Sequence, residues 1–326
     1  MTRKINNSYE LGQSNAPTDG GDMLKTRGDG TLVWEGVADT TYEPATWYGG
    51  RGVWGGGYIT PSYSNIMDYI TIASTGNATD FGDLTLARQA VATCSNGSRG
   101  IFAAGDTADY SNAIDYITIS TTGNATDFGD TTESRRFVAG CSNGTRGLFG
   151  GGGPTTPTID YITISTTGNA TDFGDRTVSK AQLAACSDGT KGIFGGGTSS
   201  DDTIDYVTIS TTGNATDFGN LTVGRGQLAA CASLIRGLFG GGDSSSNVIE
   251  YITIASIGDA TDFGNLSAGR HFIGSCSDGT KGVWAGGSTG SISNIIDYVT
   301  IDTTGNATDF GDLTGIRQSL SGLSGD

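Results

Sequence analysis

The sequence predicts an all-β fold: a closed six-bladed β-propeller with four-stranded blades, preceded by a short N-terminal arm. Three observations carry this expectation. First, one pattern is written six times along 326 residues. Tyr69, Tyr116, Tyr161, Tyr206, Tyr251 and Tyr298 fall 47, 45, 45, 45 and 47 residues apart, and Phe81, Phe128, Phe173, Phe218, Phe263 and Phe310 keep the same step. A period near 45 made of short β segments is the length of one propeller blade. Second, Gly makes up 55 of the 326 residues and only 16% are charged, with no collagen period, which suits a turn-dense β protein. Third, the first and last repeats are each incomplete, and each supplies what the other lacks.

Residues 1–47 do not repeat and form the expected arm. Within it, 15–22 reads as a turn-rich linker, and Gly21 to Trp34 reads as strand, Gly-Asp-Gly turn, strand, with Leu24 and Trp34 as candidate docking residues. Residues 48–326 hold the propeller. A blade opens with Arg-x-x-Leu-Ala-Ala-Cys-Ser, a strand of small and apolar residues ending at Asn-Gly or Asp-Gly. Asn96-Gly97, Asn143-Gly144, Asp188-Gly189 and Asp278-Gly279 fit two-residue type I′ hairpin turns, which need positive φ. The second strand, Thr-Arg-Gly-Leu-Phe-Gly-Gly-Gly, carries glycines that allow close backbone approach. A variable polar loop follows. The third strand, Ile-Asp-Tyr-Ile-Thr-Ile, is rich in β-branched residues, and Ala-Thr-Asp-Phe-Gly-Asp forms a short fourth strand after a Thr-Gly-Asn turn. The first complete strand, Arg51 to Gly57, lacks a leading segment, whereas the chain ends on one, Arg317 to Leu323. The C-terminal strand is therefore expected to join the N-terminal strands, close the ring and remove an exposed edge. Residues 42–49 are the alternative donor, disfavoured by Pro44.

The order Arg, small apolar strand, Gly-Gly after an aromatic, Tyr, then an aromatic twelve residues later resembles the kelch repeat over roughly residues 48–326, with Phe81 and its equivalents in place of the usual Trp. The Gly-Gly pair stands at Gly55-Gly56, Gly150-Gly151, Gly195-Gly196, Gly240-Gly241 and Gly286-Gly287, and is broken at Ala103-Ala104. The arm segment, roughly G-x-x-L-x-x-x-G-D-G-T-x-x-W, resembles a short element of phage tail-fibre and other virion proteins. The repeat wording is similar to propeller-like structural proteins of marine tailed phages, including those of cyanobacteria. These resemblances imply a virion structural protein: a tail fibre or tail component first, a capsid decoration protein as the alternative. A cellular kelch-type binding scaffold is the further alternative.

Twelve of the eighteen basic residues occupy two repeat positions: Arg88, Arg135, Lys180, Arg225, Arg270 and Arg317, and Arg51, Arg99, Arg146, Lys191, Arg236 and Lys281. Asp80 and its equivalents, and the acid before each Tyr, repeat likewise. A ring-shaped ligand site would use such residues, but ion pairs between blades explain them better, because Arg favours bidentate carboxylate pairing. Cys94, Cys141, Cys186, Cys231 and Cys276 share one position, with Leu323 at the sixth. An odd, evenly spaced set reads as small buried hydrophobes rather than a disulfide framework. Asn-Ala-Thr recurs at Asn77, Asn124, Asn169, Asn214 and Asn306, but Asp259 replaces Asn in the fifth copy. A turn that needs Asn or Asp explains both, and glycosylation explains only one. Arg27-Gly28-Asp29 reads as a chance tripeptide. His271 is the only histidine, no CxxC occurs, and no phosphate loop or nucleophile motif is present. No enzyme activity, cofactor or metal is expected.

A net charge of −16 argues against nucleic acid and anionic membrane as partners. No apolar run is long enough to span a bilayer, and the polar start lacks an apolar signal region, so the chain is expected either to work in a cytoplasm or to leave the cell by lysis inside a particle; the resemblances imply the virion, with synthesis in the host cytoplasm. The arm is expected to dock on other virion proteins, with a homotrimer through it as a further expectation. Six loops differ while the scaffold does not: Tyr58–Asn65, Asp106–Asn112, Gly153–Thr158, Thr198–Thr203, Asp243–Asn247 and Ser288–Asn294. They should share one face with the Leu-Thr-x-x-Arg connections, and loops on a rigid scaffold commonly carry binding. The candidate binding residues there are Tyr58, Tyr63, Asp106, Tyr110, Thr155, Asp201, Asp243 and Ser291, facing a host-surface glycan or a protein receptor. Leu234 and Ile235, in Ala232-Ser-Leu-Ile235, break a turn and are expected to be exposed docking residues.

Overall fold

A computed structural model describes residues 22–26, 32–36 and 48–325, and the chain divides into two units after Ala45. In the first unit Asp22–Thr26 and Leu32–Gly36 pair antiparallel, with Leu24 opposite Trp34 in register. The linker, the Gly-Asp-Gly turn and the Arg27-Gly28-Asp29 tripeptide lie outside the described residues.

The second unit is a six-bladed β-propeller of four-stranded antiparallel sheets. Blade 2 serves as the pattern: Ala92–Ser95 innermost, then Arg99–Asp106, Tyr110–Thr118 and Thr126–Asp130 outermost, each strand beside its sequence neighbour. Blade 1 differs only in its innermost strand, the C-terminal Ser321–Gly325, which pairs with Arg51–Gly55. The ring is thus closed by the C-terminal strand, as expected; most of the alternative donor, residues 42–47, lies outside the described residues.

The local sequence explains this geometry. In the third strand, Ile114 and Asp115 are adjacent yet both buried. Alternation puts them on opposite faces, and a neighbouring blade covers each face: Ile114 packs toward blade 3, and Asp115 bonds Thr85 of the connection from blade 1. A bulge between them, repeated at the same place in every blade, shifts the register against the fourth strand. The core lies between blades. Phe149, Ile162 and Ile164 of blade 3 pack on Ala92, Ile101 and Phe128 of blade 2, for example. Within each blade the repeated Tyr and Phe meet edge to face, with centroids 5.7–6.1 Å apart. Each cysteine is free and buried. The Sγ of Cys94 sits against Gly147 of the next blade so closely that a Cβ there would lie 2.4 Å away. The second-strand glycine is therefore required by the cysteine it faces.

The turn expectation needs correction. Gly97, Gly144, Gly189 and Gly279 have φ of 80–86°, but the preceding Asn or Asp does not adopt positive φ. Asn96 Oδ1 accepts the Ser98 and Arg99 amides at 3.1 and 2.7 Å, and the Asn96 amide donates to the Arg99 carbonyl. With positive φ at the Gly alone, the pair does not form a type I′ turn, which needs it at both central residues. The Asx side chain satisfies the turn amides that a left-handed Asn would otherwise serve.

Candidate binding face and axial mouth

The repeated ion pairs lie within blades rather than between them: each arginine, in the connection leading into a blade, meets the acid on that blade's third strand. Asp80 and its equivalents, also expected to pair, are exposed and form no ion pair among the described residues. Arg88, Arg135, Arg225, Arg270 and Arg317 pair with Asp115, Asp160, Glu250, Asp297 and Asp68, all buried. Burial pulls the guanidinium pKa down at Arg88, Arg270 and Arg317, and the partner carboxylates oppose this. The same carboxylates accept the amide and hydroxyl of a Thr or Ser in the connection from the preceding blade, as Thr85 does to Asp115 and Thr314 to Asp68. One blade departs from the sequence reading. Lys180, expected to be equivalent to the arginines, is partly exposed beside Asp201, and Asp205 is instead paired with Arg176, four residues earlier.

The second basic set also ties blades. Arg51, Arg99, Arg146, Lys191, Arg236 and Lys281 each donate to an Ile carbonyl of the following blade at 2.8–3.2 Å. Each also lies over its own blade's Tyr, 4.3–5.4 Å from the centroid. Asn124 and its equivalents, Asp259 included, accept an amide of the preceding blade's outer strand at 2.9–3.1 Å, so an acceptor oxygen is what the position demands. Around the axis, Ser95, Ser142, Ser187, Ser277 and Ser324 each donate a hydroxyl to the preceding blade's carbonyl at 2.5–2.7 Å, leaving one gap at Ala232.

The variable loops do share a face with the connections between blades. Gln89 and Asp106 exchange backbone bonds, as do Arg136 and Gly153, and His271 and Ser288. Tyr58, Thr198 and Asp243 donate to Gln318, Ala181 and Gly226. Tyr58 and Tyr63 oppose one another in a two-residue ladder and pack edge to face at 5.8 Å. Tyr110, Thr155 and Ser291 are exposed. Asp106 is not a free ligand group, which corrects its place among the binding residues. It is only 3% exposed and accepts from Gln89 Nε2 at 3.1 Å and Arg136 Nη1 at 2.9 Å, so it anchors the loop base. Asp243 caps the Gly226 amide at 2.6 Å, and Asp201 accepts the Thr203 hydroxyl at 3.0 Å. Both are half-buried: Asp201 braces its own loop, and Asp243 ties its loop to the connection at Gly226.

The centre of this face escaped the sequence reading. Ala90, Phe137, Gln182, Gln227, Phe272 and Ser319 hold one equivalent position, each with φ of 54–62°. Their backbones form a closed belt: each amide donates to the preceding member's carbonyl at 2.7–3.2 Å around the axis. Left-handed φ costs a non-glycine residue roughly 1–2 kcal/mol, and the belt offsets that cost at all six places. Phe137 and Phe272, three blades apart and hence on opposite sides, stack with centroids 5.7 Å apart at 26°. Gln182 and Gln227 lie to one side of the stack, Ala90 and Ser319 to the other. Beneath is a cavity of about 130 Å³ lined by all six blades. Typical small-molecule pockets hold roughly 300–1,000 Å³, so a ligand here would lie across the mouth rather than inside the channel. The signal was present in the chain as Phe, Gln and Arg at positions read as arbitrary between Arg and the apolar strand.

The opposite face carries a different irregularity. Leu234 and Ile235 are 47% and 58% exposed, as expected, and Ile257, 62% exposed, joins them on the same end of blade 5. The other blades have Thr at the position of Ile257, namely Thr75, Thr122, Thr167, Thr212 and Thr304. The chain joins the propeller on this face too, at Tyr48, which lines the lower axial cavity with the five cysteines.

Among the described residues no group of three His, Cys, Asp or Glu side chains could hold a metal ion, and no helix is long and apolar enough to cross a membrane. A comparison with models of known protein families gave no match, and a comparison with curated proteins gave none either.

Proposed function

We propose that this chain is a non-enzymatic structural protein of a tailed-phage particle, with the propeller as its outward binding module and a tail component as its first assignment. The observation that carries this reading is the segregation of irregularities. Loops of variable length and the asymmetric axial ring occupy one face. The exposed apolar triplet of blade 5 and the point where the chain joins the ring occupy the other. Leu86, Val223 and Ile316 are exposed singly on connections of the loop face, whereas three exposed apolar residues gather at one end of blade 5. One face suits recognition, the other attachment. The resemblance of the arm and of the repeat wording to virion proteins of marine phages, cyanophages among them, supports the particle setting. Other virion proteins are the partners proposed for the arm and for Leu234, Ile235 and Ile257. A host-surface glycan is the partner proposed for the loop face.

Gold labelling of intact particles with antibody against the propeller, with mass spectrometry of purified particles, tests this. Label on the tail is the expected result. Label over the head makes the chain a capsid decoration protein. Absence from purified particles refutes the virion reading and favours a cellular binding scaffold.

A further inference from the structure

A continuous line of ring and guanidinium contacts crosses the loop face. The Arg136 guanidinium lies 5.0 Å from the ring centroid of Tyr110, in the blade 2 loop, and 5.5 Å from that of Phe137. Phe137 stacks on Phe272 across the axis at 5.7 Å, and Phe272 meets His271 at 5.2 Å. The line thus runs from the blade 2 loop over the mouth to blade 6. Every member breaks the repeat. The positions of Arg136 and His271 hold Gln89, Ala181, Gly226 and Gln318 in the other blades, and those of Phe137 and Phe272 hold Ala90, Gln182, Gln227 and Ser319. The fold does not require these rings, because the belt geometry is the same where the residue is Ala or Gln.

We infer that this cross-axial track binds a neutral, linear oligosaccharide, its sugars packed on the exposed side of Tyr110 and along the outer edges of Phe137 and Phe272, whose facing sides are taken up by each other. The inference deepens the glycan-binding part of the proposed function and rests on it. The polar chemistry fits. Among the described residues the Gln182 and Gln227 side chains hydrogen-bond only to each other, Gln227 Nε2 donating to Gln182 Oε1 at 3.4 Å, and both line the axial cavity, which leaves the Gln182 amide and the Gln227 carbonyl without a protein partner. The Gln318 side chain, next to the belt, is half-buried with no partner among the described residues. Aromatic faces with amide donors and acceptors alongside recognise sugar rings and hydroxyls. The charge fits as well. Arg136 is neutralised by Asp106 at 2.9 Å, and burial lowers the His271 pKa below its ordinary value, so that ring is neutral at pH 7. Asp109, Glu133, Asp202 and Asp243 in the surrounding loops and connections would repel a polyanion.

The test titrates the full chain with cellotetraose, maltotetraose, chitotetraose and, as the charged counterpart, tetragalacturonate, read by saturation-transfer NMR and calorimetry. Phe137→Gln and Phe272→Gln are the variants, since Gln already occupies the same backbone conformation at Gln182 and Gln227. Thermal melting verifies that they fold. At least one neutral tetramer should bind, and each variant should weaken it about tenfold. Three results overturn the inference: no neutral tetramer binds at up to ~10 mM, tetragalacturonate binds more tightly than all of them, or the folded Gln variants bind as well as the parent chain. Attachment of the propeller to host cells separates the two readings. If both Gln variants attach normally but exchange of the six loops abolishes attachment, the track is wrong and the proposed function stands.

Discussion

Blade 4 offers a stringent test of how the ring is held. Its carboxylate, Asp205, is fully buried and is balanced by Arg176 rather than by the residue at the repeat position, Lys180. Arg176 sits where four other blades have Leu84, Leu221, Leu266 and Leu313 and the fifth has Thr131. Its Nε donates to Asp205 at 3.1 Å, but both terminal nitrogens are buried without partners. In blade 3, by contrast, Arg135 donates to the Gly151 and Thr158 carbonyls at 2.8 and 2.9 Å and to Asp160, leaving only Nε unpaired. Arg176→Leu strips Asp205 of its guanidinium and leaves it the Thr177 amide and hydroxyl. Removing one partner of a buried pair costs about 3–5 kcal/mol. At about 2–4 °C per kcal/mol for a domain approaching this size, melting should fall by roughly 6–20 °C.

Adding Lys180→Arg to Arg176→Leu rebuilds the arrangement of the other blades. It exchanges two buried unpaired nitrogens for one, a difference of about 1–3 kcal/mol in its favour. The double variant should therefore be at least as stable as the parent chain. Urea unfolding of the parent, both single variants and the double variant gives the coupling energy directly. If the double variant stays as unstable as Arg176→Leu, Arg176 is not standing in for the missing arginine. If Arg176→Leu costs under about 1 kcal/mol, the ring does not depend on balancing this carboxylate.

Four further outcomes are expected. Ala104 adopts φ of 60° where the other blades have Gly at 65–71°. Ala104→Gly should therefore stabilise by about 0.5–1 kcal/mol, the left-handed penalty less the entropy of Gly, measured by urea unfolding. Ala232→Ser should close the hydroxyl belt onto the Ser187 carbonyl and stabilise by about 0.5–1.5 kcal/mol; an unchanged midpoint would mean the gap is already satisfied. Burial holds the His271 pKa below its unfolded value of about 6.5, with Asp243 opposing. The folded state therefore disfavours the charged ring, and stability present above that value is lost as pH falls through the folded pKa. The loss of melting temperature from pH 7 to pH 5 should be smaller in His271→Gln. Burial raises the thiol pKa of all five cysteines, so a thiol-specific disulfide reagent at pH 8 should label none until the protein unfolds.

Much of the fold was legible because each blade repeats the same local demands. The Tyr and Phe spacing and the incomplete ends led to six blades and to closure by the segment Arg317 to Leu323, which the structure places as the strand Ser321–Gly325. The reading failed where one position was served from another. Arg176 was invisible because the alignment placed a basic residue at Lys180, and nothing local says that a guanidinium four residues away reaches the same carboxylate. The hairpin turns were mistyped because an Asn-Gly pair does not show whether Asn contributes its backbone or its side chain. Exposure of Leu234 and Ile235 was legible from their turn, whereas Asp106 was misread because its partners Gln89 and Arg136 come from segments 17 and 30 residues away. The axial ring was missed for a physical reason as well: its members meet only across the axis, through neighbours about 45 residues distant, so no local pattern marks them.

The internal repeat turns this into a criterion. Each position is sampled in six nearly equal environments, so a departure is either compensated or free of the fold. Arg176 with Lys180 is compensated: two changes together preserve one buried pair. Phe137, Phe272, Arg136 and His271 are not, since the belt keeps its dihedrals and hydrogen bonds whichever side chain it carries. Leu234, Ile235 and Ile257 likewise expose apolar surface where the other blades keep Thr, Ser or Gly, a loss of solvation that nothing within the propeller offsets. A backbone belt that fixes the mouth while leaving its side chains unconstrained allows recognition to change without loss of stability. Such changes should therefore gather at the axis and in the loops, while Arg88, Asp115 and their equivalents stay fixed.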